Sequence, residues 1–185
     1  MSDNNNHPLG DAPWFHVILS TGLGTGFIPG APGTYAGFTG LVIWFLLYLV
    51  LSPAALFWTT LALIIGVTFT GVWTSNVMER YWGPDPRTVV IDEYVGTWIP
   101  LLIAPCGITT MAHPFANPTW ILALAGFALF RIIDIFKPLG CRRIEHLVPG
   151  GWGVMLDDVL AGFYALIIVA VIKICFWPEF PLLTI

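Results

Sequence analysis

The chain has 185 residues, of which 57% are hydrophobic and only 10% charged, against roughly 25% charged in soluble domains. That composition excludes an ordinary soluble globule and describes an integral membrane protein. A formal net charge of −4, with seven Lys plus Arg and no basic stripe, excludes a nucleic-acid partner.

Taken in chain order, residues 1–13, "MSDNNNHPLGDAP", lack the basic and apolar regions of a signal peptide and are expected to form a mobile tail. The following "WFHVILSTGLGTGFIPGAPGT" is apolar and then rich in Gly and Pro. It reads as an interfacial or re-entrant segment, because irregular backbone at that depth must be shielded by protein or water. Five apolar runs then approach the roughly 20 residues that a bilayer requires: Tyr35 to Leu51, Pro53 to Ser75, Tyr94 to Met111, Thr119 to Phe136, and Val159 to Phe176. The expected fold is an all-α polytopic membrane helix bundle, with about five transmembrane helices plus the N-terminal segment. A single membrane-embedded catalytic domain is expected over 14–177, with a short C-terminal tail over 178–185. Cys106, Cys141 and Cys175 lie more than thirty residues apart, match neither a zinc spacing nor a disulfide framework, and are assigned to packing. His16 and His113 receive no role.

Six of the seven basic residues fall in two places: Arg80 and Arg87 between the second and third runs, and Arg131, Lys137, Arg142 and Arg143 at and after the end of the fourth. The positive-inside rule makes both regions cytoplasmic, with Lys173 near the outer end as a mild exception. Although only basic residues enter that rule, it also sorts the acids. Asp92 and Glu93 open the third run, Asp134 lies in the last turn of the fourth, and Asp157 with Asp158 opens the fifth, so all five share one face.

Five carboxylates against Arg131 and Lys137 leave three uncompensated negative charges near the membrane, a state that calls for protonation or a bound cation. Hard oxygen ligands suit Mg²⁺, and no soft-metal ligand set is present. In "DEYVG" and "DDVLAG", Gly96 and the Ala161–Gly162 pair sit one turn below the acids. Small residues there let helices approach and bring their acidic ends together.

Each motif also has a plain reading. Acids near a helix start complement its dipole or cap it. In "FRIIDIFKP", Arg131, Asp134 and Lys137 recur every three residues, which suits an intrahelical ion ladder stopped by Pro138. The functional reading has Arg131 and Lys137 binding phosphate and Asp134 ligating metal or acting as base. "GTGFIPGAPGT" is either a plain entry loop or a nest of backbone N–H groups for an anion, with Thr34 adding a hydroxyl. His146 is either solvated or a proton donor to a leaving alkoxide.

The motifs "GTGFIPGAPGT", "VVIDEYVGTW", "FRIIDIFKP" and "GGWGVMLDDVLAG", in this order, resemble the bacterial phosphatidylglycerophosphatase A family over nearly the whole chain outside the tails. The resemblance implies an Mg²⁺-dependent lipid phosphomonoesterase in the bacterial inner membrane. Its active site faces the cytoplasm and converts phosphatidylglycerophosphate to phosphatidylglycerol and inorganic phosphate. Carried over by position, its acidic residues are Asp92, Glu93, Asp134, Asp157 and Asp158, with Arg131 and Lys137 beside them and Gly33 and Thr34 in the loop. Where the family has Gly-Thr-x-Gly-Ser, this chain reads Gly33-Thr34-Tyr35-Ala36-Gly37, so no serine is available there. The expected chemistry is attack by water at a phosphoryl group polarised by one or two Mg²⁺ ions held among the five acids, with one carboxylate as base. Membrane lipids are the other expected partners. The competing expectation is a cation transporter or channel that uses the same carboxylates, and a third is a structural membrane subunit.

Overall fold

The computed structural model describes residues 11–84, 86–107, 117–137, 148–180 and 182. The expected tail over its first ten residues, and His113, Cys141 and His146, lie outside the described residues.

Local chemistry sets the helix boundaries. Helix α1 (Trp14–Ser20) is a short amphipathic piece whose Trp14, Phe15 and Ile18 point outward while Val17 and Ser20 are buried. It leads through left-handed Gly22, Leu23 and Gly24 into a 3-10 turn at Thr25–Phe27. Helix α2 (Pro32–Val50) begins with proline in its first turn, where a missing N–H costs nothing. Helix α3 (Pro53–Trp82) does the same, with the Ser52 hydroxyl accepting from the Ala55 amide at 3.4 Å. Helix α5 (Thr119–Phe136) coincides with the fourth expected span, and helix α6 (Gly151–Phe176) starts two turns earlier than the fifth.

The third expected span is where the structure departs most from the hydropathy reading. Helix α4 (Asp92–Leu101) has ten residues, about 15 Å of rise, followed by turns through Gly107. Four helices among the described residues, α2, α3, α5 and α6, are long and apolar enough to cross a membrane, so four rather than five carry that signature. Pro100 inside α4 removes one backbone donor and helps end the helix early. Every residue from Glu93 to Leu101 is buried, because α4 packs against α2, α3, α5 and α6 at once. It is the core of the bundle, and the lipid-facing apolar side chains, such as Phe38, Trp58, Phe69, Phe163 and Ile167, belong to the helices around it.

Broken backbone deep in a bundle needs partners for its carbonyls. The fully buried Lys173 supplies them: its ammonium donates to the carbonyls of Ile103 at 2.9 Å, Ala104 at 3.4 Å, and Cys106. Thr119 also donates to Ala104, and Tyr48 to Asn117, so the residues after α4 meet the end of α2, the start of α5 and the end of α6. The lysine that looked like an exception to the charge pattern closes the end of the bundle opposite the acids. Cys106 is buried as expected, whereas Cys175 faces outward.

The small residues act as the sequence suggested. A Cβ on Gly162 of α6 would lie 2.8 Å from the Gly96 carbonyl oxygen of α4, and one on Gly96 would run into the Phe130 ring of α5. The three acid-bearing helices therefore touch one turn below their carboxylates.

Candidate active site: a carboxylate cavity at one end of the bundle

Asp92 and Glu93 occupy the first turn of α4, whose start is held from behind by the N-terminal loops. The Val90 amide donates to the Ser20 carbonyl at 2.8 Å, and the Tyr94 hydroxyl to the Gly22 carbonyl at 3.0 Å. Asp134 lies in the last turn of α5. Asp157 and Asp158 lie seven and eight residues into α6, well past its N-terminus at Gly151. The capping reading therefore fails for that pair, and two buried carboxylates in a helix interior need another explanation.

A cavity of about 580 Å³ opens between these ends, lined by Asp92, Glu93, Asp134, Lys137, Asp157 and Asp158 and bordered by Val148–Gly150 and the first turn of α6. One carboxylate oxygen each from Asp134, Asp157 and Asp158 lies within 4.8 Å of the others. Lys137 donates to Asp157 Oδ2 at 2.6 Å, and the Asp158 amide donates to Asp157 Oδ1 at 3.0 Å. Lys137 caps α5 in the left-handed conformation at φ 44°, an uncommon backbone for a non-glycine residue.

The other cation is committed elsewhere. Arg131 pairs through Nη1 with Glu93 and with Asp134 Oδ2 at 3.1 Å, and its Nη2 donates to Thr34 Oγ1 at 3.4 Å. Glu93 also presses on Gly33, where a side chain would collide with its carboxylate. Neither Gly33, Thr34 nor Arg131 lines the cavity. The structure thus places these three expected phosphate ligands on the Glu93 side, where Arg131 pairs with its carboxylate, and among the described residues leaves Lys137 as the cation lining the cavity. The five expected metal ligands divide accordingly: Asp134, Asp157 and Asp158 converge, Asp92 adjoins them, and Glu93 is held in the Arg131 pair.

A divalent cation fits this donor set. Asp92 Oδ1 and Asp158 Oδ2 are buried with no hydrogen-bond partner among the described residues. A buried anionic oxygen without a donor is costly, and the spread of the three converging oxygens is within a small rotamer adjustment of one six-coordinate hard cation.

Glu79 on α3 went unnoticed in the sequence, although it also lines the cavity. Three residues before it, Asn76 accepts the Gly151 amide at 2.8 Å and so ties α3 to the start of α6. The i, i+3 spacing of Asn76 and Glu79, next to Arg80 at the basic end of the second run, was the available signal.

Comparison with known proteins identifies the family. A family model described as Phosphatidylglycerophosphatase A matches residues 18–173. A Bacteroides thetaiotaomicron protein named "Putative phosphatidylinositol-3-phosphatase" is 49% identical over 85% of this chain and 92% of its own length. Proteins named phosphatidylglycerophosphatase A from Haemophilus influenzae and Escherichia coli are each 33% identical, covering 94% and 81% of this chain and 98% and 77% of theirs. No solved structure matches the chain. A buried carboxylate cavity at one end of a membrane bundle and a family match across nearly the whole chain lead to one assignment: this protein belongs to the phosphatidylglycerophosphatase A family of membrane enzymes.

Proposed function

We propose that the chain hydrolyses the terminal phosphomonoester of phosphatidylglycerophosphate in an Mg²⁺-dependent reaction at the cytoplasmic face of the bacterial inner membrane, giving phosphatidylglycerol and inorganic phosphate. The observation that carries this reading is the convergence of Asp134, Asp157 and Asp158 in a cavity where Asp92 Oδ1 and Asp158 Oδ2 have no hydrogen-bond partner among the described residues. These three residues, with Asp92 adjoining, would hold the cation, which when bound polarises the phosphoryl group and acidifies water.

The chain's own groups divide the remaining work. Asp92, which lines the cavity outside the converging trio, would take the proton of the attacking water. The water oxygen bonds to phosphorus, the bond from phosphorus to the glycerol oxygen breaks, and that oxygen leaves with a proton. Lys137 offers an ammonium to the charge that builds on the phosphoryl oxygens and to the departing alkoxide. Arg131 holds Glu93 and Asp134 in place. The long apolar helices keep the enzyme in the bilayer that holds its substrate.

The name of the Bacteroides relative supplies a second candidate substrate of the same chemical kind, a phosphomonoester on a polyol attached through a phosphodiester. Cation transport is disfavoured, because Asp92, Glu93, Asp134, Asp157 and Asp158 gather at one end, and at the far end Lys173 donates to backbone carbonyls. The test is phosphate release by purified protein in detergent from phosphatidylglycerophosphate and from phosphatidylinositol 3-phosphate, with Mg²⁺ or with EDTA. Faster turnover of the first, lost in EDTA, is expected. No release from either lipid with Mg²⁺ present refutes the assignment, and preference for the second transfers it to the inositol lipid.

A further inference from the structure

A second cavity, of about 740 Å³, borders the first and shares Glu79 and Pro84 with it as a common wall. Its remaining lining comes from one side of α3, chiefly Trp73, Asn76 and Arg80. Arg80 is exposed and makes no ion pair among the described residues, and the half-buried Glu79 carboxylate likewise has no partner among them. Trp73 faces outward beside α1, with its ring 4.5 Å from that of His16 and 6.2 Å from that of Phe15. The second cavity therefore runs from the acid cavity toward the apolar, outward-facing edge of the bundle.

The charges along this path alternate. The acid cavity, with Lys137 and the converging carboxylates, suits a metal-held phosphate. The shared wall carries an anion, which repels phosphate and accepts hydroxyl donors. Beyond it stands the guanidinium of Arg80, without an ion pair among the described residues, a group that recognises phosphate oxygens. A lipid whose terminal phosphate and backbone phosphodiester are separated by a short polyol has the same order of groups.

The geometry points to Arg80 as the residue that binds the lipid's phosphodiester, with Glu79 facing the intervening hydroxyl-bearing carbons and Trp73 marking the side from which the acyl chains enter. This rests on the acid cavity being the phosphatase site and adds the specificity that distinguishes a lipid substrate from a free phosphomonoester. In this arrangement Arg80 contributes to binding of substrate and transition state alike, so its loss raises KM and leaves kcat in place.

The experiment is steady-state phosphate release from phosphatidylglycerophosphate in mixed micelles by the full chain and by R80A, R80K and R87A, with thermal unfolding measured in parallel. R80A is expected to raise KM about tenfold at unchanged kcat and unfolding temperature, and R80K to recover most of that loss. R87A removes an equally exposed charge that does not line either cavity and is expected to leave KM unchanged. An active wild type with an unchanged KM in R80A, or an equal KM rise in R87A, overturns the role of Arg80 while leaving the site intact. A wild type that releases no phosphate overturns the site and this inference together.

Discussion

Replacing Gly162 with alanine tests whether the crossing of α4 and α6 sets the catalytic geometry. The added methyl would lie 2.8 Å from the Gly96 carbonyl oxygen and 3.1 Å from the Ile99 Cβ and Cδ1 atoms, where ordinary contact begins at 3.4 Å. Backbone oxygen cannot rotate away as a side chain would, so the two helices must separate by about 0.6 Å, the shortfall between those values. Overpacking of this kind costs about 1–3 kcal/mol, and the higher helix propensity of alanine offsets up to about 1 kcal/mol of it. The net loss of stability is therefore small, about 0–2 kcal/mol. Activity should suffer more, because Asp158 precedes Gly162 by one turn and moves with it relative to Asp92 and Asp134. Displacements of about 1 Å at a reacting centre cost up to about 100-fold in rate, so a drop in kcat of about tenfold is expected. The assay is phosphate release from phosphatidylglycerophosphate, with thermal unfolding in detergent as companion. Gly66→Ala is the matched control, since nothing lies within 4 Å of the methyl it would add. Wild-type turnover in G162A would show that the small-residue contact does not position the carboxylates.

Four further outcomes follow from named contacts. Asp158→Asn should lower Mg²⁺-dependent phosphate release at least about 1,000-fold and should also abolish the rise in unfolding temperature that saturating Mg²⁺ gives the wild type, a rise worth about 2.7 kcal/mol at 100 times Kd. An equal Mg²⁺-induced shift in the variant removes Asp158 from the cation site. Arg131→Ala strands Glu93 and Asp134 and should destabilise the fold by about 3–5 kcal/mol in urea or thermal titrations; a phosphate ligand without structural duty would instead change KM alone. Lys173→Met leaves the Ile103, Ala104 and Cys106 carbonyls without their donor, and a loss of about 2–4 kcal/mol is expected in thermal unfolding. Gly33→Ala forces Glu93 to move and should reduce kcat more than it reduces stability, measured side by side.

Hydropathy and charge pattern made the long helices and the acidic end legible, because both depend on composition along one segment. Thr119–Phe136 was found to the residue, since polar and proline boundaries flank it on both sides. Helix α4 was not, because apolarity in a sequence is the same whether a helix faces lipid or four other helices. Its early end depends on Pro100 and on Lys173 arriving from seventy residues away. The Arg131–Asp134 contact was readable from i, i+3 spacing and is present. The Arg131–Glu93 pair joins two helices, so no local spacing announces it, and it engages the arginine with the frame of the site. The start of α6 was hidden by the Gly150–Gly151 pair, which ordinarily reads as loop. Here Gly150 takes φ 72° and Gly151 packs against the Val72 carbonyl, letting the helix begin directly on α3.

The buried position of α4 also explains why the carboxylates are on separate elements. A single helix carrying all of them would place like charges at fixed 5–6 Å spacings with no means of adjusting. Distributing them over α4, α5 and α6 lets different neighbours hold them: Glu93 is held by Arg131 and Asp157 by Lys137 and the Asp158 amide, while Asp92 Oδ1 and Asp158 Oδ2 have no protein donor among the described residues. Arg131 thus neutralises the side of the cluster that faces the bundle, Lys137 offsets one carboxylate on the cavity side, and the oxygens left without a donor belong to Asp92 and Asp158, which line the cavity. Under the proposed function, a cation drawn to that charge would lie between these carboxylates and the phosphate that enters. A phosphoryl-transfer site would need that placement, and burial of the first turn of α4 within its own bundle lowers the local dielectric on the inner side of the cluster, where its charges act more strongly.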